Sequence, residues 1–330
     1  MVKKIAVLGG GSWGTAIVKI LSDNNQEVYW WMRSADSADH IKKFNHNPKY
    51  LSSVELKIPE ANVSADLEYI CSKADTIILA TPSAFLDSVV SLLNPKYFKE
   101  CNFVSAVKGI VPKHNLIVGE YLNQVHGVDL NKFAVISGPS HAEEIASEKL
   151  SYLTPASQNE KLAESLSKAL ACRYVITNLS DDIYGTEYGA VLKNIYAVAC
   201  GICHGLGYGD NFQAVLVSNA IIEMSRFVDV VHPINRDINE SAYLGDLLVT
   251  AYSQYSRNRT FGNMIGKGYS VKFAQMEMNM IAEGYYASEC MEAVNSKYEV
   301  HMPICTAVYN ILYQKNSPVL EIKKLCAELK

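Results

Sequence analysis

A glycine loop close to the N-terminus constrains this chain more than any other feature. Lys3-Lys4-Ile5-Ala6-Val7-Leu8 is a short apolar run of strand character, and it leads directly into Gly9-Gly10-Gly11-Ser12-Trp13-Gly14-Thr15-Ala16. Ile17, Ile20 and Leu21 follow at helical spacing. A buried strand, a glycine turn and an amphipathic helix form the setting in which G-x-G-x-x-G binds a dinucleotide. Gly9 permits the tight turn, Gly11 lets the backbone approach a pyrophosphate, and Gly14 lets helix and strand pack closely. The helix start adds N–H groups and the positive end of its dipole. Without those flanks the motif would be weak, and the alternative reading with them is a plain strand–turn–helix with incidental glycines.

Glu27-Val28-Tyr29-Trp30-Trp31-Met32 reads as the second strand. About 20 positions beyond the glycines, NAD enzymes carry an acid for the ribose 2′-hydroxyl. Here the position holds Arg33-Ser34. A guanidinium and a hydroxyl suit a 2′-phosphate, so Arg33 is either a cofactor contact or a solvated charge at a strand end. The first reading predicts that NADPH is accepted at least as well as NADH.

Further strands are expected at Asp75–Ala80, Phe103–Val107, Phe133–Ile136, Ser151–Thr154 and Tyr174–Thr177, with a helix over Ala38 to Asn45 in the polar stretch after Arg33. Strands alternating with helical segments predict an α/β, doubly wound, Rossmann-type and mainly parallel sheet. Ligands bind such sheets beyond the carboxyl ends of the strands, which directs Lys108 and the Gly138-Pro139-Ser140 turn to the same crevice as the glycine loop. From about Asp182 the texture becomes helical and alanine-rich, with helices expected over Tyr188–Val198, Phe212–Phe227, Leu244–Tyr255, Val271–Met280, Ala287–Tyr298 and Pro303–Tyr313. The chain therefore divides into a dinucleotide-binding domain, 1–181, and an all-α substrate and catalytic domain, 182–330.

A chain of 330 residues is comfortable for two domains. A net charge of −4 argues against a nucleic-acid partner. No apolar run approaches the ~20 residues needed to span a membrane. The apolar segment at the start is too short for an export signal, which leads to the expectation of a cytoplasmic protein. Cys200-Gly201-Ile202-Cys203, followed by His204, has the spacing of a redox or metal half-site. It equally describes two small buried residues on a helix, and no second cysteine pair or complete metal-ligand set accompanies it.

Polar residues stand out in the helical half. Lys193 lies among Val191, Leu192 and Ile195, and either snorkels to solvent or works in a cleft. Asp246 sits in the apolar run Leu244-Gly245-Asp246-Leu247, where a carboxylate requires a cationic partner. Ser256-Arg257-Asn258-Arg259 gathers donors at a helix end, as an anionic substrate or a basic surface turn would.

Joined in order, these motifs resemble the NAD(P)-dependent glycerol-3-phosphate dehydrogenases of the bacterial, biosynthetic type. The likeness runs through Gly9–Ala16, Val107-Lys108-Gly109, Ser137–Glu144, Gly189–Asn194, Leu244–Leu247, Ser256–Arg259, Ala282-Glu283-Gly284 and Met302–Cys305. The resemblance implies reversible reduction of dihydroxyacetone phosphate to sn-glycerol 3-phosphate for phospholipid synthesis, with NADPH or NADH, by a homodimer. It makes Lys193 the acid/base at the reacting carbonyl, with Asp246 orienting it and Lys108 touching substrate and cofactor. It implies that Gly138, Ser140, Asp246, Ser256, Arg257 and Asn258 hold the substrate. It places Ser12, Trp13, Arg33, Ala142, Arg257, Ile281 and Glu283 along the nucleotide, with Gly9, Gly11 and Gly14.

The chemistry agrees with that implication. Hydride arriving at a carbonyl carbon leaves charge on oxygen, which an ammonium stabilises and then protonates. A free lysine, at a pKa of ~10.4, is a reluctant donor at neutral pH. Burial and the Lys108 ammonium would lower that value, while Asp246 opposes them. Two other readings use the same residues: a related two-domain hydroxy-acid or sugar-acid dehydrogenase, and a non-catalytic NADPH sensor. A sensor has no use for an acid/base beside an anion clamp. The chain departs from the family pattern at Tyr188, at Asp229–Asn235 and at Ser241-Ala242-Tyr243, where loop shape and substrate affinity are expected to differ.

Overall fold

A computed structural model describes residues 2–278 and 282–330. It resolves into two compact units, Met1–Val107 with Val118–Ile183, and Lys108–Ile117 with Tyr184–Lys330.

The first unit runs β1 (Lys4–Leu8), α1 (Ser12–Asp23), β2 (Glu27–Trp31), α2 (Ala35–Phe44), β3 (Val63–Ser64), α3 (Leu67–Ser72), β4 (Thr76–Leu79), α4 (Ser83–Val90), α5 (Pro95–Glu100) and β5 (Asn102–Ser105). It continues with α6 (Val118–His126), β6 (Phe133–Ser137), α7 (Ala142–Ala146), β7 (Ser151–Ala156), α8 (Glu160–Leu170) and β8 (Val175–Thr177). The strands lie in the order β3-β2-β1-β4-β5-β6-β7-β8. All neighbours are parallel except β6 and β7. The central strands are apolar without alternation, and Ile5 to Leu8 and Ile77 to Leu79 are fully buried, as strands covered on both faces must be. The chain order reverses between β1 and β4, so the carboxyl ends of these two strands flank the crevice where such sheets bind ligands.

The second unit is helical: α9 (Ile183–Gly205), α10 (Asp210–Val231), α11 (Asp246–Tyr252), α12 (Arg257–Gly266), α13 (Val271–Glu277), α14 (Glu283–Asn295), α15 (Pro303–Leu312) and α16 (Pro318–Cys326). Helix α9 is its axis. Val191, Leu192, Ile195, Tyr196 and Val198 are all fully buried, because the other helices surround it. Ile110 and Ile117 join this core and carry the Lys108–Ile117 segment with it.

Two glycine pairs let α9 and α12 touch backbone to backbone. A Cβ on Gly201 or Gly262 would lie 2.1 Å from the carbonyl of Arg259 or Val198 on the other helix. Gly205 and Gly266 repeat the contact one turn later, at 2.4 and 2.3 Å. This close crossing accounts for the small residues around Cys200 and Cys203. Both thiols are buried and unbridged, and burial pushes Cys200 up to about 12 and Cys203 higher still. Such thiols are poor nucleophiles and poor metal ligands. Among the described residues no group of three or more His, Cys, Asp or Glu could hold a metal ion.

Two of the three departures from the family pattern, at Tyr188 and at Ser241–Tyr243, place rings in the packing of the helical unit. Ser241–Gly245 winds as a single π turn into α11, and Tyr243 is buried, with its ring over Gly189. Tyr188 meets Phe227 edge to face, with ring centroids 5.2 Å apart. The expected helix over Leu244–Tyr255 stops at Tyr252, and α12 begins at Arg257. The expected helix over Val271–Met280 is α13 as far as Glu277, and residues 279 and 280 lie outside the described residues. No helix among the described residues is long and apolar enough to cross a membrane.

Candidate active site

In the first unit the glycines sit in the turn between β1 and α1. Gly9 has φ of +135°, and a Cβ there would lie 2.6 Å from the Ala80 carbonyl oxygen. A Cβ on Gly14 would lie 2.2 Å from the carbonyl oxygen of Gly9, so only glycine lets α1 approach the β1 turn. Gly11 is the opposite case. It caps α1 without a side-chain hydrogen bond, and a Cβ there would meet nothing within 4 Å. The loop is therefore crowded on its protein side and open beside Gly11, which fits a pyrophosphate lying against the backbone. Ser12 and Trp13 form the first turn of α1.

Arg33 is exposed between β2 and α2, its guanidinium 5.9 Å from the Phe85 ring. The Ser34 hydroxyl caps α2 by accepting the Ser37 N–H. After β6, Gly138 has φ of +106° and Ser140 Oγ donates to its carbonyl at 2.9 Å. Ala142 opens α7. These places lie at carboxyl ends of parallel strands or at the helix starts that follow them.

In the second unit three charged groups converge. Lys193, on α9, donates to Asp246 Oδ1 at 2.5 Å and to Thr250 Oγ1 at 3.1 Å. Lys108 Nζ lies 3.3 Å from the other Asp246 oxygen. The Asp246 and Lys193 side chains are 1% and 5% exposed, whereas Lys108 keeps 18%. One carboxylate thus holds two ammonium groups, one sealed and one at the edge of solvent. Thr250 fixes the arrangement by donating to the Asp246 carbonyl at 2.6 Å, one helical turn back, so its oxygen is left to accept from Lys193. An ammonium has three hydrogens, and these two partners take two of them.

Burial is the largest influence on Lys193 and pushes it down. Asp246 opposes that fall, the Lys108 ammonium adds to it, and the outcome is about 7. Lys193 is thereby poised to give or take a proton near neutrality.

A chain of amide hydrogen bonds runs from the Lys108 backbone to the start of α14. Asn194 Nδ2 donates to the Lys108 carbonyl at 2.7 Å, Asn258 Nδ2 to Asn194 Oδ1 at 2.8 Å, and the Gly284 N–H to Asn258 Oδ1 at 2.9 Å. The α9–α12 crossing brings Asn258 to Asn194. Ser256 caps α12, accepting the Arg259 N–H, and Arg257 is exposed in the first turn. Glu283 begins α14, and Ile281 lies outside the described residues.

The structure therefore gathers Lys108, Lys193, Asp246, Asn258 and the start of α12 in one unit, and the glycine loop, Arg33, Gly138 and Ser140 in the other. Sequence reasoning missed Thr250 and gave Asn194 no role. The spacing of Thr250, four residues after Asp246 on one helix face, was the available signal.

A doubly wound sheet with a glycine cradle, joined in one chain to a helical unit that buries a lysine against a carboxylate, has the make-up of a dinucleotide-dependent oxidoreductase. Comparison with known proteins narrows that class. Residues 4–163 match the N-terminal region, and 182–323 the C-terminal region, of NAD-dependent glycerol-3-phosphate dehydrogenase. Glycerol-3-phosphate dehydrogenase [NAD(P)+] of Bacillus velezensis is 35% identical over 99% of this chain and 95% of its own, and that of Bacillus subtilis 34% identical over 98% and 94%. The crystal structure of glycerol-3-phosphate dehydrogenase from Coxiella burnetii superposes with a TM-score of 0.89 at 30% identity, covering 98% of both chains. The chain belongs to the NAD-dependent glycerol-3-phosphate dehydrogenase family.

Proposed function

We propose that this chain catalyses the reversible, NAD(P)H-dependent reduction of dihydroxyacetone phosphate to sn-glycerol 3-phosphate. The observation that carries the reading is the sealed Lys193 ammonium, held by Asp246 and Thr250 with one hydrogen left to offer. When bound, the reduced nicotinamide supplies the hydride to the substrate carbonyl carbon. The carbonyl π pair moves onto oxygen, Lys193 Nζ stabilises that oxygen and protonates it, and the neutral amine regains its proton from solvent. In the oxidative direction the neutral amine removes the hydroxyl proton. Lys108 adds positive charge at the solvent edge, and Asp246 keeps both ammonium groups aimed.

Arg257 clamps the substrate phosphate with its planar fork, aided by Ser256 and Asn258. Gly138 and Ser140 complete the substrate contacts. Gly9, Gly11, Ser12, Trp13, Gly14 and Ala142 line the cofactor, together with Lys108, Arg257, Ile281 and Glu283. Arg33 takes the 2′-phosphate and inclines the enzyme to NADPH. Residues 1–181 carry most of the cofactor contacts and lend Gly138 and Ser140 to the substrate, and residues 182–330 carry the acid/base and the phosphate clamp and lend Arg257, Ile281 and Glu283 to the cofactor. The proposed enzyme is a cytoplasmic homodimer that makes a lipid head-group precursor; family membership supports the dimer, and the net charge of −4 speaks against a nucleic-acid partner.

The test is loss of reduced-nicotinamide absorbance with dihydroxyacetone phosphate, run with NADPH and NADH and against a panel of keto acids. Turnover restricted to the phosphorylated ketone is expected. Turnover restricted to keto acids would instead make Ser256–Arg259 a carboxylate site, and cofactor binding without turnover would mark a sensor.

A further inference from the structure

We propose that Asn47 and Trp30 are positioning residues of the glycine loop, holding its peptide planes in the orientation that receives the cofactor pyrophosphate. The proposal rests on the reading that this loop binds a dinucleotide.

Three successive carbonyl oxygens of the loop are held by side chains. Trp30 Nε1 donates to Gly9 O at 2.9 Å, Asn47 Nδ2 to Gly10 O at 2.9 Å, and Thr15 Oγ1 to Gly11 O at 2.9 Å. Trp30, Asn47 and Thr15 are at most 1% exposed. Asn47 also donates to Thr15 Oγ1 at 2.8 Å, and its own oxygen accepts the N–H groups of Lys49 and Tyr50 at 3.0 and 3.2 Å. An amide offers two donors and two lone pairs, so all four are engaged and the side chain has one orientation.

A planar trans peptide points its N–H opposite to its carbonyl. Fixing the oxygens of Gly9, Gly10 and Gly11 inside the fold therefore fixes the N–H groups of Gly10, Gly11 and Ser12 on the other side. These three N–H groups take no acceptor among the described residues. Carbonyl oxygens turned outward would repel phosphate, and an unpinned loop of three glycines would sample such states freely. The pins remove them before the cofactor arrives, which raises affinity by preorganisation. Neither pin lies in the glycine motif. Trp30 comes from β2, and Asn47 from the stretch after α2.

The test uses the full-length enzyme with Trp30→Phe, which keeps an aromatic ring but removes the donor, and Asn47→Ala. NADPH dissociation constants are measured by fluorescence, alongside kcat at saturating NADPH, KM for dihydroxyacetone phosphate, and melting temperature. An acceptor left unpaired in each variant predicts NADPH binding weakened about tenfold. Saturated kcat and the KM for dihydroxyacetone phosphate are expected to stay within about twofold, since the pins act on ground-state cofactor binding alone. Trp30→Phe decides the matter if Asn47→Ala fails to fold. Unchanged NADPH affinity in a folded variant, or a fall in kcat matching the loss of affinity, would overturn the proposal. Failure of the wild-type enzyme to bind NADPH or NADH would overturn the cofactor reading instead.

Discussion

Lys193 Nζ lies 2.5 Å from Asp246 Oδ1, and Lys108 Nζ approaches the second oxygen of the same carboxylate at 3.3 Å. The two lysines compete for one counter-charge, and the buried one is held at about 7. The proposed mechanism uses the protonated Lys193 amine for reduction, so the rate is expected to fall as pH rises through about 7. Oxidation requires the neutral amine and should fall as pH drops through the same value. Lys108→Met removes a repelling charge and moves both limbs to higher pH, whereas Asp246→Asn moves them lower. Rate profiles in both directions check the signs, and limbs unmoved by either substitution would contradict the coupling.

Arg257 occupies the first turn of α12, exposed beside the buried Asn258. Losing a charged phosphate contact predicts a rise in KM for dihydroxyacetone phosphate of roughly tenfold to a hundredfold in Arg257→Ala. Steady-state kinetics measure it, and an unchanged KM counts against the clamp.

Arg33 is exposed with its guanidinium near Phe85, at the end of β2. Arg33→Ala should raise the KM for NADPH by about tenfold and leave that for NADH nearly unchanged, because only NADPH brings a 2′-phosphate. Equal effects on both cofactors would remove Arg33 from phosphate recognition.

Glu223, on α10, is buried at 2% exposure, and its carboxylate accepts the N–H groups of Ile304 and Cys305 at the start of α15. Burial raises it from 4.5 to about 7 despite those bonds. A carboxyl raised on folding contributes its stability below the unfolded value and loses it as pH climbs to the folded one. Wild-type stability is therefore expected to carry a decline between pH 4.5 and about 7 that Glu223→Gln lacks. A rise from 4.5 to about 7 bounds that difference at about 3 kcal/mol. Denaturant midpoints of both proteins across this range provide the check, and parallel curves would refute it.

The parts of the fold legible in the sequence were those specified locally. β1, the glycine turn and α1 are contiguous, and the central strands announce themselves as unbroken apolar runs. Elements such as β3, with two residues, and α3, with six, are too short to display a period. Helix α12 was missed because its exposed face and its glycines, placed for close crossing, dilute the apolar stripe. The charged members of the site stood out as polar residues in apolar surroundings. Their roles came from the resemblance. Thr250, Asn194, Asn47 and Trp30 did not stand out, because each acts through a hydrogen bond to a partner distant in sequence. Ser256 was visible as a donor, yet the fold uses its oxygen to cap α12.

In the proposed mechanism Lys193 supplies the proton at the substrate carbonyl. Its most direct test is kcat of Lys193→Ala with dihydroxyacetone phosphate, measured alongside NADPH affinity. Loss of acid/base catalysis predicts a fall in kcat of about a hundredfold to ten-thousandfold with NADPH binding preserved. A near-normal kcat in that variant would contradict the account.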